Sequence, residues 1–263
     1  MSQRIVQVDA FTAVPYAGNP AAVCVMNEPR EDGWMQRIAM EMNLSETAFL
    51  TPEQDGYRLR WFTPKAEVDL CGHATLASAH VLWEDRHLPP ERAAVFYTRS
   101  GRLGATRQGN WITLDFPAKN SAPAEPAAGL VDALGVKPVA IGRNAWDYIV
   151  EVANARDVLD ATPDLRGLRQ VACRGVILTS RSDSAEHDFI SRFFAPAVGV
   201  DEDPVTGSAH CCLAPYWAER IGRTELVGFQ ASARGGVVRV RLHGDRVFLS
   251  GQAVTVMRGE LLG

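Results

Sequence analysis

The segment from Arg192 to Trp217, RFFAPAVGVDEDPVTGSAHCCLAPYW, repeats a pattern laid down earlier in the chain. At a constant offset of 132 residues, Arg192, Phe194, Pro196, Val200 and Asp201 fall on Arg60, Phe62, Pro64, Val68 and Asp69, and Phe193 falls on Trp61. Each copy reads as an apolar strand, a bend with proline, an acidic residue, a glycine-bearing turn and a helix rich in alanine. The offset is close to half of the 263 residues, so two lobes of similar topology are expected. Without a gap, Cys71, Gly72 and His73 correspond to Asp203, Pro204 and Val205. Each turn opens a helix, whose unpaired N–H groups and partial positive charge suit a small carboxylate. The expectation is a cleft faced by two such termini.

The remaining pattern is mixed and rich in strands. Residues 5–10, 21–26, 47–50 and 57–63 read as strands in the first half, followed by a meander over 94–98, 102–106 and 111–116 with glycine-bearing turns. From Arg30 to Met42 the apolar residues Trp34, Ile38 and Met42 recur four apart, which predicts a helix with that face buried. The stretch PAKNSAPAEPAA, residues 117–128, has the composition of a linker. These signals give an N-terminal lobe over 1–117, with the C-terminal strand as a candidate to complete it, and a C-terminal lobe over 118–263. The fold class is α+β, with few helices and many short strands.

Composition narrows the chemistry. A net charge of -4, a pI near 5.9 and the lack of any Lys/Arg run argue against nucleic acid as a partner. No 18-residue apolar run suggests a membrane span, and the N-terminus enters a strand pattern directly, so a cytoplasmic location is expected. Five cysteines without a CxxC pair point to free thiols and to no structural metal. The absence of G-x-G-x-x-G and P-loop motifs removes the grounds for a nucleotide cofactor. Acid/base chemistry by side chains remains.

Three places supply it. Glu46 opens an apolar strand and shares a face with Ala48 and Leu50, where a carboxylate is costly to bury unless paired and is suited to general acid/base work. His73 lies in the first turn of a helix, whose dipole favours a neutral imidazole there. In DEDPVTGSAH, Asp203, Thr206 and Ser208 gather a carboxylate and two hydroxyls around Gly207, which permits a close approach of ligand to backbone. No G-x-S-x-G surrounds Ser208, and His210 points elsewhere on the helix, so a Ser-His nucleophile is not expected. His80 reads as structural.

Taken in order, VDAFTAVPYAGNPAAV, NLSETAFL, RWFTPKAEVDLCGHATLASAH and FFAPAVGVDEDPVTGSAH resemble the PhzF-like isomerases of phenazine biosynthesis, a family with the diaminopimelate epimerase fold. The resemblance implies two pseudo-symmetric lobes, each a curved, barrel-like sheet around a central helix, with the active site between them, commonly in a homodimer. It assigns the catalytic glutamate to Glu46, the GHAT histidine to His73, and the aspartate and serine of the DPxTGS motif to Asp203 and Ser208. It implies that Glu46 moves a proton between carbons of a small amino-acid-like or unsaturated acid without a cofactor, while His73, Asp203 and Ser208 bind and orient it. The candidate catalytic residues are therefore Glu46, His73 and Asp203, and the candidate substrate-binding residues are Gly72, His73, Asp203, Gly207 and Ser208. The family's namesake reaction isomerises trans-2,3-dihydro-3-hydroxyanthranilate. Two rivals stay open: a two-thiol racemase or epimerase using Cys71, and a binding protein that keeps the site without chemistry.

Overall fold

The computed structural model of the chain describes residues 2–262 and divides into two units, one of Met1–Asp115 with Ser250–Gly263, the other of Phe116–Leu249. The final segment thus belongs with the first unit rather than with residues 118–249. Unit 1 contains β1 (Gln3–Ala10), β2 (Asn19–Val25), α1 (Asp32–Met42), β3 (Glu46–Glu53), β4 (Gly56–Phe62), β5 (Glu67–Val68), α2 (Gly72–Glu84), β6 (Ala94–Thr98), β7 (Gly101–Gln108) and β8 (Trp111–Pro117). Unit 2 contains β9 (Ala122–Pro123), α3 (Leu130–Leu134), β10 (Pro138–Arg143), β11 (Asp147–Val152), α4 (Ala155–Leu159), α5 (Leu165–Leu168), β12 (Gly175–Arg181), β13 (Phe189–Phe194), α6 (Gly207–Ile221), β14 (Glu225–Gln230), β15 (Gly236–His243) and β16 (Arg246–Gly251). The last strand, β17 (Ala253–Leu261), pairs antiparallel with β1.

One helix in each unit sets the shape of its sheet. In α2, residues 73–79 and 81–83 are buried, so almost every face of the helix must be covered. The small residues Ala74, Ala77 and Ala79 let strands approach, and α2 packs on β1, β2, β3 and β17. A flat sheet covers one side of a helix only; this one has to curl around it. Thr75 and Ser78 donate their hydroxyls to the carbonyls of Cys71 and Ala74, which satisfies polar groups that the wrapping cuts off from water. Helix α6 is buried in the same way over 209–214 and 216–218. Pro215 within it cannot donate to the carbonyl of Cys211, and the backbone N–H of Lys119 takes that acceptor at 2.9 Å. Residues 117–128 are accordingly not a free linker: Ala118 and Ala124 also bond unit 2, and β9 pairs with β10.

Strand pairing repeats from unit to unit. The sequence β1–β2 antiparallel, β2–β3 parallel, β3–β4 antiparallel, β4–β6 parallel and β6–β7 antiparallel recurs as β10–β11, β11–β12, β12–β13, β13–β14 and β14–β15. Tyr57 faces Phe96 and Phe189 faces Gly228, which keeps the offset of 132 on both strands. Across the bend the offset changes. Arg60 grips Glu67 through two hydrogen bonds while its guanidinium lies over Phe62, and Arg192 grips Glu202 in the same way over Phe194. Val68 pairs with Trp61, whereas it is Asp203 whose N–H bonds Phe193. The second bend is therefore three residues longer, accommodating a 3-10 turn at Pro196–Val198. This corrects the ungapped correspondence: Gly72 matches Gly207, His73 matches Ser208, and Cys71 matches Thr206.

Two smaller expectations also change. The buried residues of α1 are Met35 and Ala39, and Trp34 and Ile38 flank them, partly buried. Strand β14 went unrecognised because Glu225 to Gln230 lacks a clear alternation in sequence. The repeated ion pair generates a test. Glu202→Ala strands a largely buried Arg192, which also donates to the carbonyls of Val158 and Ala161, and is expected to cost about 2 kcal/mol after allowance for partial exposure. Asp160→Ala in the exposed Arg156 pair should cost less than about 0.5 kcal/mol, both read from urea unfolding midpoints.

Candidate active site

In unit 1, Glu46 stands at the first position of β3, whose parallel neighbour β2 sets Ala21 opposite it. Its carboxylate is 18% exposed, and Oε2 lies 3.1 Å from Nε2 of His73. That oxygen is buried and makes no well-directed hydrogen bond, so the contact is an ion pair rather than an aligned hydrogen bond. His73, the second residue of α2, is 5% exposed. On its other edge Nδ1 sits 3.5 Å from Sγ of Cys71, the N-cap residue. A carboxylate, an imidazole and a thiol thus converge at one helix N-terminus.

Their protonation follows from these contacts. Burial pushes the Cys71 thiol up to about 11, and the Glu46 charge adds to the effect. Burial works against a charged His73, but the Cys71 sulfur and the Glu46 carboxylate outweigh it and raise His73 well above the ordinary histidine value. Because the thiol keeps its proton, the carboxylate is the partner that matters near neutral pH. The neutral imidazole expected from the helix dipole is thus corrected: a carboxylate 3.1 Å away dominates over a partial charge. Among the described residues, Glu46, Cys71 and His73 form the group whose donor atoms, all within 4.8 Å, could hold a metal ion. Such an ion would have to displace protons from both the thiol and the imidazole.

In unit 2 the matching turn is built differently. Asp203 accepts the Thr206 hydroxyl at 2.5 Å. Buried Gln230, on β14, accepts the Thr206 N–H at 2.8 Å and donates to the Asp203 carbonyl at 2.7 Å, which fastens the whole turn. Ser208 Oγ accepts a hydrogen bond from Arg174 at 3.0 Å, and Arg174 forks onto fully buried Asp147 at 2.8 and 2.5 Å. His210 donates from Nδ1 to the Thr206 carbonyl at 2.9 Å, just as Thr75 does to Cys71. Burial lowers its pKa to about 4, and it stays neutral.

The register shows how unevenly chemistry is shared. With Phe62 and Phe194 as equivalents, Thr47 matches Val176 and Glu46 matches Gly175. A Cβ on Gly175 would lie 2.4 Å from the Phe193 ring, so any side chain there would require that buried ring to move. The acid of unit 2 is Asp147, on the neighbouring strand, and it is neutralised by Arg174. The thiol position of Cys71 is taken by Thr206, while Cys211 and Cys212 are buried in α6, with the Cys211 thiol pushed up to about 12 by burial. The sequence motifs single out Glu46, Gly72, His73, Asp203, Gly207 and Ser208 as candidates but not Arg174, Asp147 and Gln230, which hold the second turn from far away in sequence.

The model for the family described as phenazine biosynthesis-like protein matches residues 8–259 of this chain. The chain belongs to that family. An uncharacterized isomerase of Halalkalibacterium halodurans is 56% identical over 100% of this chain and 99% of its own length. A PhzF family protein of Enterococcus faecalis superposes with a TM-score of 0.96 at 40% identity, covering 100% of both chains. A hydroxyproline epimerase of Agrobacterium vitis, at 11% identity over 99% of this chain and 92% of its own, superposes with a TM-score of 0.63 and shares the fold alone. The PhzF family fold therefore accounts for the two pseudo-symmetric halves, each with a curved sheet around its helix.

The opposed histidine environments predict opposed pH behaviour. His73 binds its proton more tightly folded than unfolded, so it adds stability below the ordinary value of 6.5, and this is lost as pH rises through the folded value. His210 binds less tightly, and it penalises the fold as pH falls from 6.5 towards 4. Ring-nitrogen NMR should find His73 protonated and His210 neutral at pH about 6.5, and Glu46→Gln should lower the His73 midpoint while leaving His210 unmoved.

Proposed function

We propose that this protein is a cofactor-independent isomerase of a small amino-acid-like or unsaturated carboxylic acid, in which Glu46 takes a proton from one carbon and returns it to another. The observation that carries this reading is the 3.1 Å contact of Glu46 with a largely buried His73. A carboxylate that is screened from water, and held in place by an imidazole beside it, is suited to abstract a carbon-bound proton. His73 can then hold the carboxylate's orientation and stabilise the negative charge that develops on the substrate. Asp203, held by Thr206 and Gln230, is the residue that orients the substrate in this reading, and Gly72, Gly207 and Ser208 each stand at a helix terminus whose N–H donors suit a carboxylate. The family relationship supports isomerase chemistry. By the same reading the enzyme acts in the cytoplasm as a homodimer, and its free cysteines fit a reducing compartment.

Two experiments divide this reading from its rivals. In D2O, the wild type should place deuterium on carbon in one member of a panel of dihydrohydroxyanthranilate and small amino and unsaturated acids. Glu46→Gln should lose turnover by about a thousandfold or more while still binding that compound. Turnover close to that of the wild type in that variant would remove Glu46 from the role. Cys71→Ser should retain most activity, whereas a two-thiol enzyme would lose nearly all of it. Binding without exchange across the whole panel would favour a non-catalytic protein.

A further inference from the structure

The N-terminal turn of α6 carries a basic corner that the proton-transfer reading does not use. Arg174 is half-buried, with a third of its side chain exposed, and three contacts hold it rigid: the fork onto Asp147, the bond to Ser208, and its guanidinium lying 5.5 Å over the Phe193 ring. The fork uses Nε and Nη2, and Nη2 also serves Ser208, so Nη1 has no partner among the described residues. Ser208 accepts this bond through its oxygen, which leaves the hydroxyl proton free to be donated onward.

Lys119 stands close by. Its ammonium lies 4.3 Å over the ring of Trp146, the residue before Asp147, whose carbonyl accepts the Arg174 N–H. Burial first, and the Arg174 charge second, lower the pKa of Lys119, which places the two cations within each other's field. Asp147 pairs with Arg174, and its field also reaches Lys119. A rigid guanidinium edge, a free hydroxyl donor and surplus positive charge are the recognition elements of an anionic oxygen group. An ammonium in their place would bring no such planar edge.

We infer that Arg174, positioned by Asp147, is a specificity-determining residue that binds an anionic oxygen group of the substrate together with Ser208, so that the enzyme selects acids over their neutral amides. This rests on the isomerase reading for the identity of the ligand, but it makes its own demand, discrimination by charge.

The test compares anthranilate with anthranilamide, an aromatic acid and its neutral amide, by calorimetry and by the Arg174 Nε–H signal in arginine-labelled protein. Arg174→Gln alone leaves Asp147 buried and unpaired and could unfold the protein, so the paired variant Arg174→Gln with Asp147→Asn replaces the ion pair by a neutral one of similar shape. Wild type should prefer the acid by about tenfold or more, with a shift of the Arg174 signal, and the paired variant should bind the two alike. Glu46→Gln should keep the preference. Equal binding of acid and amide by wild type, no binding of the acid, or a preference that survives in the paired variant overturns the assignment. Failure of carbon deuteration in the wild type would instead count against the isomerase reading and leave the acid preference to stand or fall on its own.

Discussion

Enclosing a helix on all sides is the constraint from which the rest of each unit follows. A helix such as α2, built from small and apolar residues with no polar stripe, cannot lie on a flat sheet without leaving one side wet. Strands must curl round it, and the wrapping makes the N-terminus a buried end whose N–H groups still need acceptors. Side chains placed at that end inherit a site that is dry, positively polarised and rigid. Cys71 and His73 sit there in unit 1, Thr206 and Ser208 in unit 2.

Duplication repeated this frame without repeating its chemistry. The paired arginines and glutamates, the strand registers and the hydroxyl or imidazole bonded back to the N-cap carbonyl are kept in both halves. The reactive positions are not. Glu46 becomes Gly175, where a Cβ would press on the Phe193 ring, and the thiol of Cys71 becomes the Thr206 hydroxyl bound to Asp203. One half keeps a carboxylate beside a cationic imidazole, and the other keeps hydrogen-bond donors and a fixed guanidinium.

Much of this was legible in the sequence, for identifiable reasons. The repeated R-x-F and the glycine that opens each helix are local, and they revealed the two-fold plan. Glu46 and His73 stood out because each sits beside a glycine turn or at a strand start, and motif resemblance assigned their roles. The length of the second bend was not legible, since Val200 and Asp201 match Val68 and Asp69 by type while the structure sets Glu202 and Asp203 in the places of Glu67 and Val68. Arg174, Asp147 and Gln230 were invisible for a different reason. Each acts on a partner more than twenty residues away, and nothing periodic marks a residue whose work is to hold another in place. The charge of His73 was misjudged because its decisive neighbour comes from β3 rather than from its own helix.

In the proposed mechanism a single carboxylate both removes and returns the proton. The most direct measurement is the fate of a carbon-bound deuteron when the enzyme's substrate, labelled at the carbon that loses it, is converted in ordinary water in a single turnover. A shielded Glu46 acting alone predicts that part of the label reappears on the receiving carbon of the product. Complete loss of the label to solvent, with product carrying only water-derived hydrogen from the first turnover, would contradict it and require a second group to deliver the proton.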